Sequence, residues 1–107
     1  MSYVRHHAIV VTGPNPYILD AAVEARRQGL SATEPKGHSI EDKWTFLVLP
    51  DGSYEGWAES DEGDERRAHF KKWLRKDPQK DCLCWVEVEY GEGDDPEISD
   101  DDTRETT

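Results

Sequence analysis

The chain is poor in cysteine, in basic residues and in long apolar stretches, and each shortage removes a class of protein. Cys82 and Cys84 are its only cysteines among 107 residues. They lie two positions apart on what reads as a strand, where a bridge between them would strain disulfide geometry. Two reduced, largely buried thiols and a cytoplasmic setting are expected. No run approaches the roughly 20 apolar residues of a membrane helix. Residues 1–7 lack the basic-then-apolar pattern of a secretory signal. The four histidines, His6, His7, His38 and His69, show no His-x-x-x-His spacing, and no Cys-x-x-Cys occurs. No metal and no cofactor are therefore expected. The serine-hydrolase elbow and the phosphate-cradling glycine loops are missing as well.

Basic residues number 13 against 24 acidic ones, for a net charge of −11. From Glu92 onward there are eight acids and one base, Arg104, so this segment carries −7 and the rest carries −4. An acidic surface repels phosphate backbones, and no basic stripe with interleaved aromatics is present, so no direct nucleic-acid binding is expected. Residues 92–107 contain one Ile and no aromatic residue. Such a segment has little apolar surface to offset its ordering entropy, and a disordered acidic tail is expected there.

What is present is enough for one domain over residues 1–91. Residues 4–12 contain Ala8-Ile9-Val10-Val11, a continuous apolar run bounded by Gly13-Pro14, which suits a strand covered on both faces. Asn15-Pro16 then reads as an N-cap followed by proline at the first helical position. Ile18, Ala21, Ala22 and Ala25 recur at helical spacing, and Gly29 is the natural stop. A short edge strand is expected near residues 30–33. Residues 44–49 form a strand apolar on both faces, Pro50-Asp51-Gly52-Ser53 has turn chemistry, and residues 54–58 return as the hairpin partner. After a polar loop over 60–64, a second helix is expected over 65–76, with Phe70, Trp73 and Leu74 as its inner stripe. Residues 82–90 alternate, with Cys82, Cys84, Val86, Val88 and Tyr90 on one face and Trp85, Glu87 and Glu89 on the other, a half-exposed strand. The order β-α-(β)-β-β-α-β predicts an α+β fold with two helices on one face of a mostly antiparallel sheet. A ferredoxin-like split βαβ is one topology that fits.

Two places carry candidate chemistry. The turn Thr12-Gly13-Pro14-Asn15 aims a helix N-terminus, with its free N–H groups, at whatever sits beside the strand end. The hairpin brings Trp44 and Trp57 beside Ser53 and Glu55, aromatic planes next to hydroxyl and carboxylate groups, as stacking and edge-reading of a base require. Arg66 at the start of the second helix offers phosphate recognition, and His7 is a further contact. The plain alternatives are a turn that caps a helix, aromatics that pack a core, and arginines that pair with the acids at 59–62. No two carboxylates are isolated in an apolar pocket, so a catalytic role is not expected. An enzyme acting on a nucleotide through His7 or His38 is the outlying alternative.

Together, His6-His7-Ala8-Ile9-Val10-Val11-Thr12, Pro50-Asp51-Gly52-Ser53, Glu55-Gly56-Trp57, Arg66-Arg67 and Trp85-Val86-Glu87-Val88-Glu89-Tyr90-Gly91 resemble a group of small uncharacterised phage proteins. The resemblance spans about 90 residues, nearly the whole body expected to be ordered. It implies a context, that of small phage proteins that counter bacterial defence in the host cytoplasm, and no site residues. The expected function is a non-catalytic protein, a homo-oligomer, that binds and sequesters a nucleotide-type small molecule through His7, Thr12, Asn15, Trp44, Ser53, Glu55, Trp57 and Arg66. The alternative is an acidic inhibitor that blocks a host nucleic-acid-binding or defence protein.

Overall fold

A computed structural model describes residues 5–38, 41–50, 58–76, 82–91 and 94–102. The apolar run at Ala8–Val11 lies in β1 (Arg5–Pro14), the middle strand of a five-stranded sheet. The turn that follows holds a cis Asn15–Pro16 peptide and leads into α1 (Tyr17–Arg27). Pro16 occupies the N-cap with no side-chain cap, so the cap lies one residue later than Asn15, where the sequence pattern places it. The chain continues through β2 (Lys36–Gly37), β3 (Lys43–Val48), α2 (Ala58–Lys76), β4 (Cys84–Gly91) and β5 (Asp94–Asp101).

The sheet order is β2-β3-β1-β4-β5, and every ladder is antiparallel. Because β1 and β2 both run antiparallel to β3, they are parallel to each other with β3 between them. The α+β class holds, and the order of the first four strands is that of the ferredoxin-like split βαβ.

Four local expectations are corrected. Residues 30–33 make a single bridge, Ala32 to Val48, and the edge strand is the two-residue β2. Ala58 and the supposed loop over 60–64 are helical, so α2 begins seven residues before Glu65. The rest of the hairpin partner, residues 54–57, lies outside the described residues. The third and largest correction is that Asp94–Asp101, expected to be part of a disordered tail, pairs with β4 as the outer strand β5. The fourth is that Cys84 is exposed and Cys82 only half-buried, because β4 turns its Trp85 and Glu87 side inward.

The core joins Ile9, Val11, Phe46, Val48, Leu83 and Trp85 of the sheet side to Ile18, Ala21, Ala22 and Ala25 of α1 and Phe70 and Leu74 of α2. Three alanines on the inner stripe of α1 let that helix approach the sheet closely. Phe70 stands between Phe46, at a centroid distance of 6.5 Å, and Trp73, stacked at 6.1 Å. Gly13 is buried against Leu83, and a Cβ there would overlap the end of the Leu83 side chain, so a larger residue requires that side chain to shift.

Helix α1 stops as its sequence indicates. Gly29 takes φ +86°, its N–H donates to the Arg26 carbonyl, and the Leu30 N–H donates to the Ala25 carbonyl, each at 3.0 Å. These are the paired bonds of a Schellman C-cap. A Gly29→Ala substitution is expected to cost about 1 kcal/mol, the order of the left-handed penalty for an L-residue. Urea unfolding monitored by tryptophan fluorescence measures it.

Candidate functional site

The residues singled out from the sequence do not gather in one place. At the C-terminal end of β1, Thr12 is opposite Thr45 of β3, with 2.7 Å between their hydroxyl oxygens. Thr45 Oγ1 is in turn 2.8 Å from His38 Nε2. Trp44, one residue earlier on β3, is opposite Gly13 and lies over Gly37. Its indole N–H donates to the Asp42 carboxylate at 2.8 Å, and Asp42 takes φ +60°, a left-handed turn residue that an aspartate tolerates. Successive strand residues point to opposite faces, so Thr12 joins Thr45 and His38 on one side while Trp44 packs against the core on the other. Asn15 is exposed in the turn just beyond.

The remaining residues do not join them. His7 lies about 17 Å from Thr12 along the strand, with its Nδ1 3.2 Å from Glu89 Oε1 on the neighbouring β4. Arg66 lies beside Gly29 at the C-terminal end of α1, about 16 Å from that helix's start, and pairs with Glu62 at 3.8 Å. Ser53, Glu55 and Trp57 lie outside the described residues. Among the described residues, then, the proposed contacts reduce to Thr12, Asn15 and Trp44 at one end of β1. No group of three or more His, Cys, Asp or Glu among the described residues is arranged to hold a metal ion.

The strongest polar constellation matches no sequence motif and joins α2, β4 and β5. Arg67, Lys71 and Arg75 repeat at intervals of four on α2, so they form one stripe along that helix. Glu87 on β4 meets this stripe. Its Oε1 accepts from Lys71 Nζ at 2.9 Å and from Ser99 Oγ at 2.9 Å, and its Oε2 is 3.7 Å from Arg67 Nε. Arg67 is also bonded to Asp64 one turn earlier on α2. The side chains of Arg67 and Glu87 are only 4% and 7% exposed. On β5, Asp100 accepts from Arg75 at 2.6 Å, and its other oxygen is 3.1 Å from Lys71 Nζ. Arg75 adds a bond to the Asp101 carbonyl at 3.1 Å and lies over the Trp85 ring, 4.8 Å from its centroid. Three cations and three carboxylates thus join α2, β4 and β5, and the buried members all have partners. The signal was present in the sequence as the spacing of 67, 71 and 75, but nothing in the sequence said which acids they meet.

Partial burial by itself would raise the Asp100 carboxyl. The hydrogen bonds from Lys71, Arg75 and the Asp101 N–H outweigh it and hold the group below the ordinary aspartate value. A carboxyl with a lowered folded value contributes stability above the unfolded value of about 4, and that contribution disappears as pH falls through the folded value. Acidification below about pH 4 is accordingly expected to loosen β5. Amide exchange of residues 94–101, followed against pH, detects it, and Asp100→Asn is expected to flatten the response. Removing the buried partner should cost more. Glu87→Ala leaves Lys71 and Arg67 without their shared carboxylate and is expected to lower stability by about 3 kcal/mol in urea unfolding.

The electrostatic outcome is uneven. Arg26 pairs with Glu34 and also donates to the carbonyls of Ala32 and Thr33, and Arg27 pairs with Glu24. Together with Arg66, Arg67 and Arg75, every arginine whose side chain is described has a carboxylate partner within the chain. On β5, by contrast, Asp95, Glu97 and the following Asp102 are exposed. The outermost strand thus carries the exposed carboxylates of Asp95 and Glu97, with Asp102 just beyond its end. No helix among the described residues is long and apolar enough to cross a membrane. No protein-family model, curated protein or solved structure matches the chain.

Proposed function

We propose that this is a non-catalytic interaction protein whose acidic edge strand engages a basic surface on a partner. The observation that carries this reading is the placement of Asp94–Asp101 as an ordered outer strand rather than a loose tail. Asp95 and Glu97, two positions apart on β5, lie about 7 Å apart along the strand, and acids held at such an interval can occupy a groove shaped for phosphates. The side chains of Asp95, Glu97 and Asp102 are exposed along this edge, and an ordered strand spares the partner the entropy of ordering a free chain. In the context implied by the resemblance to phage proteins, the partner is a host nucleic-acid-binding or defence protein in the host cytoplasm.

Deleting the acidic segment is a poor test, since β5 is bonded to α2 and β4. Neutralising the acids outside the Glu87 network is a better one. The triple substitution Asp95→Asn, Glu97→Gln, Asp102→Asn keeps Asp100 and Asp101 in place. Wild-type protein is expected to displace a labelled oligonucleotide from at least one host protein with a basic groove, and the variant to do so at least tenfold less well, with a shallower salt dependence. Absence of displacement at about 100 micromolar across a panel of such proteins removes the reading.

A second reading keeps a nucleotide-type small molecule at the C-terminal end of β1, where Thr12 and Asn15 would offer hydroxyl and amide groups, Trp44 lying on the other face of the sheet. Titration calorimetry against cyclic and ADP-ribose-derived nucleotides separates the two. No binding tighter than about millimolar excludes sequestration.

A further inference from the structure

The side of the sheet opposite the core is apolar where a solvated antiparallel face is ordinarily polar. Register places Leu47, Val10 and Val86 in one row across β3, β1 and β4, and Ala8, Val88 and Ile98 in the next across β1, β4 and β5. Beyond them His6 and Tyr90 lie with ring centroids 5.1 Å apart. None of these residues belongs to the core cluster, and Leu47, Tyr90 and Ile98 are 38%, 38% and 65% exposed. The cause lies in β4. Its charged alternation, Glu87 and Glu89, faces the side carrying Arg67 and Lys71, which sends Val86, Val88 and Tyr90 outward.

We propose that this face is covered by the same face of a second copy of the chain, related by a two-fold axis parallel to β1. Charge selects both the occupant and the axis. On the open side, Lys36 shares the face of its partner Thr45, and Lys43 lies across from Pro14, at the β2–β3 border. Asp101 shares the face of its partner Val86 at the opposite, β5 border. Strand β1 runs midway between the two borders. Rotation about an axis along β1 lays the lysine border of one copy over the Asp101 border of the other, twice, as an isologous interface requires. Rotation about the in-plane axis across the strands would lay like charge on like charge. Aligned stacking of two antiparallel sheets is a stable packing mode, with the inner faces about 10 Å apart. The face measures about 20 Å in each direction, from strand spacing and rise, so the two copies bury on the order of 1,000 Å². That is the lower end for a specific complex, and a reversible dimer of micromolar affinity is expected. The proposal uses the sheet's face and, of the acidic strand, Asp101 alone, so it does not depend on Asp95, Glu97 or Asp102.

Sedimentation equilibrium from about 1 to about 200 micromolar spans that affinity. The wild-type mass is expected to rise from 12.3 kDa towards twice that value. Val86→Lys and Ile98→Lys, each checked for an unchanged circular-dichroism spectrum, are expected to stay monomeric throughout. Ile98, on the outer strand, guards against a folding defect at Val86. Lys36→Glu, two residue steps along β1 from Asp101 across the axis, is expected to weaken the dimer about tenfold, and adding Asp101→Lys to restore it. A wild-type protein that is monomeric throughout overturns the proposal, as does a dimer that both lysine variants leave intact. A charge exchange that fails to restore association overturns the axis and with it the arrangement.

Discussion

One buried carboxylate, Glu87, determines how the rest of the molecule is arranged. A charge taken out of water is tolerated only where partners replace its hydration. Here Lys71, Arg67 and Ser99 do so from α2 and β5, so α2 must lie along β4 with its basic stripe inward, and β5 must lie beside β4. Phe70 and Leu74 sit on the same helix one residue away from Lys71 and Arg75 in the helical repeat. Seating the basic stripe on Glu87 therefore seats these apolar side chains in the core beside Phe46 and Trp85.

The same constraint explains two features that run against ordinary patterning. An acidic segment with a single isoleucine joins a sheet because Asp100 completes the sites of Lys71 and Arg75, and the backbone ladder to β4 follows. The charge that makes a disordered tail soluble becomes a docking element once fixed cations wait for it. Strand β4, meanwhile, hides its charged side and shows its valines. Electrostatic satisfaction inside the molecule thus leaves an unmet apolar surface outside it, on Val10, Val86 and Val88, and an excess of negative charge along one edge. Both outward surfaces are ones on which another macromolecule can act.

The residues that the sequence singled out do not share one face. Alternation along β1 and β3 separates Thr12 from Trp44, and the length of α1 separates Arg66 from both. A wall built from all of them would have to pass through the sheet. What remains at that end of β1, the linked hydroxyls of Thr12 and Thr45 with His38, is a local hydrogen-bonded cluster.

Much of the fold is local in origin and was legible in the residues. The apolar run of Ala8–Val11, the alanine stripe of α1, the Gly29 stop and the Phe70–Leu74 stripe each depend on neighbours within a turn or a strand, and each stands where its pattern indicated. The acid excess and the shortage of metal-type spacings were equally plain. What the sequence could not reveal depends on pairs distant along the chain. Glu87 meets residues 16 and 12 positions away, and Asp100 meets residues 25 and 29 positions away. Period-two alternation states that two faces of β4 differ, but the face that turns inward is set by which charges the helix brings to it. That decision belongs to tertiary structure, because the cost of burying an ion is known only once its partners are in place.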